Sequence, residues 1–253
     1  MHPSNQNLFE FLLMLGDDRL VLGHRISEWC GHAPVLEEDI ALANIALDLV
    51  GQANLFLKAA ATLEGAGRSE DTLAFLRDAR QFRNVCLVEQ PNGDFGVTMA
   101  RQFLFDAFSV PLLEALSSSG NADIAALAAK AHKEELYHLR HSREWVIRLG
   151  DGTEKSALRI QSAFDDLWHL CGELFVWPAS VQALVAEGAI PDLSGVRAKW
   201  DAVVDSTLSE AKLKRPTDSE AIEGGRVGTH SEHLGHLLAE MQVLPRTHPG
   251  ASW

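Results

Sequence analysis

Apolar residues recur along this chain at spacings of three and four, in long stretches separated by short clusters of glycine, proline and polar residues. Leu8, Leu12, Leu15, Leu22, Ile26 and Trp29 mark one side of a first helix over about 7–30. Gly31-His-Ala-Pro34 stops it, because proline disfavours helix in the residue before it and opens the next one. Leu42, Ile45, Leu49, Leu55 and Phe56 mark a second helix over about 35–63, and Ser69 caps a third over about 70–89. After the turn signal Pro91-Asn-Gly93, further helices are predicted over about 94–116, 122–149, 154–176 and 193–213. A short amphipathic segment lies beyond Pro178 and a loose polar stretch runs from Lys214 to Gly228. Thr229-His-Ser-Glu232 reads as a capping box opening a last helix that ends near Pro245. No run alternates in the manner of a strand, so the chain is predicted to be all-α.

Short connections between consecutive long helices force antiparallel neighbours, which predicts a ferritin-like four-helix bundle with additional helices. No linker long enough to separate independent domains interrupts the pattern. The expectation is one domain over residues 1–253, with a core bundle over about 7–177 and a helical extension over about 178–253.

Composition narrows the function. Apolar residues make up 46% and charged residues 23%, ordinary for a soluble globular chain. A net charge of -13 repels a phosphate backbone, which argues against nucleic acid as a partner. No uninterrupted apolar run reaches the roughly 20 residues that cross a bilayer, so no membrane association is expected. The start of the chain lacks the basic residues of a signal peptide. Cys30, Cys86 and Cys171 are odd in number and far from one another; they are read as small buried apolar side chains in a reducing cytoplasm.

The candidate chemistry lies in the acids. Glu135 and His138 form a Glu-x-x-His pair, half the ligand set of a carboxylate-bridged two-metal site that needs a second copy. The place of the second copy holds Asp48-Leu-Val-Gly51, a shorter carboxylate and then a residue with no ligand. In an antiparallel pair, residues equally far from the loop centre lie level. Loop centres at about 33 and 120 set Asp48 level with Asp18, and Glu134 or Glu135 level with Asp106. Each of these acids interrupts an apolar stripe, and a buried acid needs a metal, a basic group or a proton. Arg19, Lys130, Gln52 and Tyr137 are the candidates to compensate them. With one imidazole and mostly short carboxylates, the expectation is a relic: no catalytic residue, no metal bound, and a vestigial site of Asp18, Asp48, Asp106, Glu134, Glu135 and His138. The alternative is a self-contained iron or manganese pair performing oxygen chemistry.

The sequence also resembles a known family. The matching segments include Glu28-Trp-Cys-Gly-His-Ala-Pro34, Ala41-Leu-Ala-Asn-Ile-Ala-Leu-Asp-Leu-Val-Gly-Gln-Ala53, Leu87-Val-Glu-Gln-Pro-Asn-Gly93, Tyr137-His-Leu-Arg140 and His230-Ser-Glu-His-Leu-Gly235. They are similar to the C-subunit family of bacterial ring-1,2-phenylacetyl-CoA epoxidases, NADPH-dependent monooxygenases of aerobic phenylacetate breakdown. The resemblance runs over nearly the whole length. It implies a ferritin-like structural subunit without chemistry or cofactor of its own. It implies as partners a catalytic A subunit holding the iron pair, a small B subunit, and a reductase with flavin and iron-sulfur centres that draws on NADPH. A homo-oligomer is expected for the isolated chain. The family pattern matches Glu134 and His138, which leaves Glu135 as an incidental surface acid.

Two features stand outside that reading. His230, His233 and His236 recur every three residues beside Glu232 and are taken as surface or interface residues rather than metal ligands. The terminal Trp253 is taken as an anchor at an interface between subunits.

Overall fold

The structure, a computed structural model, describes residues 2–217 and 222–251. Trp253 and some of the polar stretch after Lys214 lie outside the described residues. The α-helices are α1 (Pro3–Ser27), α2 (Leu36–Glu64), α3 (Glu70–Phe75), α4 (Cys86–Glu89), α5 (Phe95–Leu116), α6 (Ala122–Gly150), α7 (Glu154–Leu167), α8 (Ala179–Ala186), α9 (Val196–Glu210) and α10 (Glu232–Thr247). Short 3-10 turns supplement them, and no strand occurs among the described residues. The fold is all-α, with two long helix hairpins of the kind a ferritin-like bundle requires. The chain forms two compact units. One comprises the residues up to Pro91, Trp177–Leu184 and the chain from Glu223 on; the other comprises Asn92–Val176 and Val185–Ile222.

In the first unit α1 and α2 form the hairpin. Proline near the start of α1 loses nothing by lacking an N–H there, and Glu37, Glu38 and Asp39 suit the positive end of α2. The helices pack closely at glycines: a Cβ on Gly16 would sit 2.9 Å from Leu57 Cδ2, and one on Gly23 3.2 Å from Leu49 Cβ. Arg19 Nε donates to Gln52 Oε1 at 2.8 Å across the same seam. These pairs place Asp48 level with Arg25 rather than with Asp18, about two helical turns from the expected register. The error has a physical source. The Gly31 N–H donates to Asp39 Oδ2 at 2.8 Å, so the connection runs alongside the first turns of α2 and is no tight turn.

An 18-residue window within α2 is apolar enough, by length and composition, to cross a membrane, with a mean hydropathy of 1.5. Leu42, Ile45, Leu49, Ala53 and Phe56 of α2 are buried, as in the core helix of a globular unit. The helix expected over residues 70–89 is also broken. It stops at Phe75, resumes as a 3-10 turn at Ala79–Gln81 and again as α4. The N–H groups of Arg83 and Val85, which a helix would use internally, donate to Asp17 Oδ2 (2.8 Å) and Asp18 Oδ1 (2.9 Å). Cys30 is exposed, against expectation, whereas Cys86 and Cys171 are buried.

In the second unit Asn121 Oδ1 caps α6 by accepting the N–H groups of Asp123 and Ile124, which closes the α5–α6 connection in a few residues. The helix expected to reach Val176 ends at Leu167 and gives way to two 3-10 turns. There Trp168 packs on Trp200 of α9 at 5.5 Å, and the Trp200 indole N–H donates to the Leu104 carbonyl at 3.0 Å. α6 also passes α9 without a side chain to spare. A Cβ on Gly150 would overlap the Ala211 carbonyl and sit 2.9 Å from the Ala211 Cβ. Because that obstacle is backbone, Gly150→Ala is expected to destabilise the protein by about 1–3 kcal/mol. A urea melt checks this, and an unchanged midpoint would count against such close packing.

Candidate functional site

The acids of the second unit converge. Asp106 on α5 and Glu135 and His138 on α6 bring one ligand atom each to within 4.8 Å of one another, and all three are buried. The Asp106 Oδ1 accepts from Gln102 Nε2 at 2.6 Å, and its Oδ2 accepts from the Ser142 hydroxyl at 2.7 Å. His138 Nδ1 lies 3.8 Å from Glu135 Oε2, and neither Glu135 oxygen has a hydrogen bond. Burial pushes the Asp106 carboxyl well above the usual carboxylate range. The Glu135 charge adds to the rise, while His138, Ser142 and Gln102 oppose it.

The roles expected of the two adjacent glutamates are exchanged. Glu135, taken as a surface acid, is fully buried within the cluster, and Glu134, taken as the inherited ligand, is half-buried beside it. Gln102 and Ser142 were not foreseen. Each lies one helical turn from a member of the cluster, Gln102 before Asp106 and Ser142 after His138, which is the spacing that could have pointed to them.

The acids of the first unit are committed elsewhere. Asp18 Oδ2 accepts from Arg226 at 2.8 Å, and the same guanidinium donates to the carbonyls of Arg83 (3.0 Å) and Met14 (3.3 Å). Burial raises the pKa of Asp18 from its usual value; Arg226, the Val85 N–H and Arg19 pull the other way. Arg19, one of the candidates to compensate the acids, lends its charge to Asp18 while it bonds Gln52 and the Leu15 carbonyl and lies over the Phe56 ring. Lys130 and Tyr137, also expected to compensate buried acids, are exposed. Asp17 takes both terminal nitrogens of Arg77. Asp48 is half-exposed.

Glu89, which no motif in the sequence singles out, is also buried and pairs with His230 at 2.6 Å. His230 is thus no surface residue, while His233 is half-buried and His236 exposed. The expected capping box of Thr229 and Glu232 does not form, because α10 opens at Glu232 with Ser231 as its N-cap, and the Ser231 hydroxyl goes to Glu89 Oε2 at 2.6 Å.

A carboxylate-bridged iron pair takes roughly four carboxylates and two imidazoles. Among the described residues the donor set does not fit one. Two carboxylates and one imidazole converge, Asp18 is bonded to a guanidinium, and Asp48 is half-exposed on another helix.

Residues 1–253 match the family described as phenylacetic acid catabolic protein. The chain is 51% identical over 246 residues to the C subunit of the 1,2-phenylacetyl-CoA epoxidase of Escherichia coli (strain K12), a match covering 97% of this chain and 99% of that protein.

Two outcomes are expected of the acids. A folded-state pKa above the unfolded one means that neutral Asp106 contributes fully below the unfolded carboxyl pKa, and that this contribution is lost as pH rises through the folded value. Asp106→Asn stays neutral, so its stability relative to the parent should improve as pH rises above the usual carboxylate range, followed by urea melts. Parallel pH profiles would refute this. Arg226→Met leaves buried Asp18 without its cation and should cost about 3–5 kcal/mol, some of which Asp18→Asn restores in the double variant. Simple additivity of the two substitutions would show that they do not interact.

Proposed function

The chain belongs to the phenylacetic acid catabolic protein family, and we propose that it is the C-type subunit of a multicomponent 1,2-phenylacetyl-CoA epoxidase. In this reading the chain is non-catalytic and supports an iron-bearing A subunit, in the cytoplasm. A small B subunit and a reductase with flavin and iron-sulfur centres, drawing on NADPH, complete the assembly. The observation that carries the reading is the 51% identity, over almost the full length of both proteins, with the C subunit of such an epoxidase. The chemistry agrees, because the converging ligand set is incomplete for an iron pair, and Asp106 and Asp18 are bonded to protein groups.

The surface supports a role in assembly. On α2, Leu36 (71% exposed), Ile40 (55%) and Leu47 (70%) present an apolar row to solvent. Rows of that kind mark contact surfaces more often than chance. They also suit self-association of the chain when no other subunit is present.

The test uses the full chain and its complex. Purified alone from iron-replete cells, the chain is expected to hold no stoichiometric iron and to show no oxygen-dependent turnover of phenylacetyl-CoA. Co-expressed with the A subunit, it is expected to co-purify with it and raise its thermal stability. About two irons per chain together with turnover would instead establish a self-contained iron pair and overturn the proposal. In the assembled complex, Asp106→Asn should change stability while leaving the turnover number within about twofold.

A further inference from the structure

The hydrogen bonds around Asp106, Glu135 and His138 leave acceptors over. Both Glu135 oxygens and Gln102 Oε1 are buried and have no hydrogen-bond partner. Bulk water does not reach them, since Glu135 and Gln102 are fully enclosed. A proton alone leaves the need unmet. On Asp106 it gives Glu135 no donor, and on Glu135 it finds no acceptor within hydrogen-bond distance. Among the described residues no guanidinium reaches these acids, in contrast to Asp18.

We propose that this cluster is a closed site for one zinc ion, which ties α5 to α6. The spacing suits ligands of a shared cation and is too wide for hydrogen bonds. Glu135 Oε2 and His138 Nδ1 are 3.8 Å apart, and one ligand atom from each of the three residues falls within 4.8 Å of the others. Zinc bonds of about 2.0–2.2 Å hold neighbouring ligands about 3–4 Å apart, so a small inward turn of the side chains completes the fit. Two carboxylates and a neutral imidazole cancel the charge of one divalent cation, the condition for holding it away from water. Glu135 can bind through both oxygens and so supply the fourth position of a tetrahedral site. Asp106 is already oriented for the task. Gln102 Nε2 and the Ser142 hydroxyl each donate to one of its oxygens, as the outer partners of a ligating carboxylate do, and each oxygen keeps a second lone pair.

The donor set also selects the metal. Calcium and magnesium need about six or more oxygen ligands or retained waters, which three enclosed side chains do not provide. An imidazole with two carboxylates suits zinc, and zinc binds such sites more tightly than manganese or ferrous iron. In the metal-free chain burial favours a proton on Asp106, and zinc expels it. Zinc has no redox chemistry, so the site serves the stability of the α5–α6 hairpin rather than oxygen activation.

The test uses the full chain, stripped with a chelator and titrated with zinc chloride by calorimetry at about pH 7.5. One zinc per chain is expected, with a raised thermal midpoint and an affinity at least about tenfold weaker in Glu135→Gln. The zinc-edge X-ray absorption spectrum of the one-to-one complex is expected to show a single imidazole, oxygen ligands at about 2.0–2.2 Å and no sulfur. That spectrum needs no variant, so it decides the matter if Glu135→Gln fails to fold. Absence of zinc binding, an unchanged affinity in folded Glu135→Gln, or a spectrum with several imidazoles or a thiolate would each overturn the proposal. A chain that binds no zinc remains a candidate epoxidase subunit, because that role is decided by co-purification with the A subunit.

Discussion

A carboxylate shut away from water costs several kcal/mol unless cations and hydrogen-bond donors surround it, and in the unit that begins with α1 three are no more than 1% exposed. Asp17, Asp18 and Glu89 dictate much of the chain around them. Residues 82–85 stay out of helix because their N–H groups serve Asp17 and Asp18. Arg77 follows the end of α3 and turns inward to Asp17. Arg226 and Ser231 are drawn in from near the far end of the chain for the other two acids. The neighbouring apolar packing then closes over groups that are already satisfied.

The second unit meets the same problem with less charge. Asp106 is served by an amide and a hydroxyl, and its raised pKa favours a proton where the first unit uses guanidinium. Within a packed core, removing one member of such a cluster strands the others, so the remaining side chains persist for reasons of stability. In the cluster of the second unit Asp106 is bonded to Gln102 and Ser142, whereas the two oxygens of Glu135 have no hydrogen bond.

The helices were legible because their apolar spacing is local. The α5–α6 level was legible too, since a connection of a few residues leaves little room for error, and Asp106 indeed meets Glu135 and His138. Across α1 and α2 the same reasoning failed, because the connection follows α2 for several residues and shifts the register that Asp48 was assigned. The partners of Asp18 and Glu89 were out of reach for another reason. Nothing local to Arg226 or His230 records an acid so distant in sequence, and the spacing of His230, His233 and His236 suggested a surface pattern. Glu135 was misjudged because the family pattern favoured its neighbour, whereas burial follows the face each side chain occupies on α6.

The separation between Asp18 and Arg226, 208 positions, sets an order of events at the ribosome. When α1 emerges, its acids are hydrated and the residue that neutralises Asp18 has yet to be made. The unit holding α1 reaches its final form only once nearly the whole chain has been synthesised. Asp106, by contrast, finds Ser142 within 36 positions, so its hairpin can close while translation continues. The middle of the chain is thus able to mature before its beginning, and a ribosome that stalls before Arg226 leaves a nascent chain with an unfinished first unit, a natural substrate for chaperones.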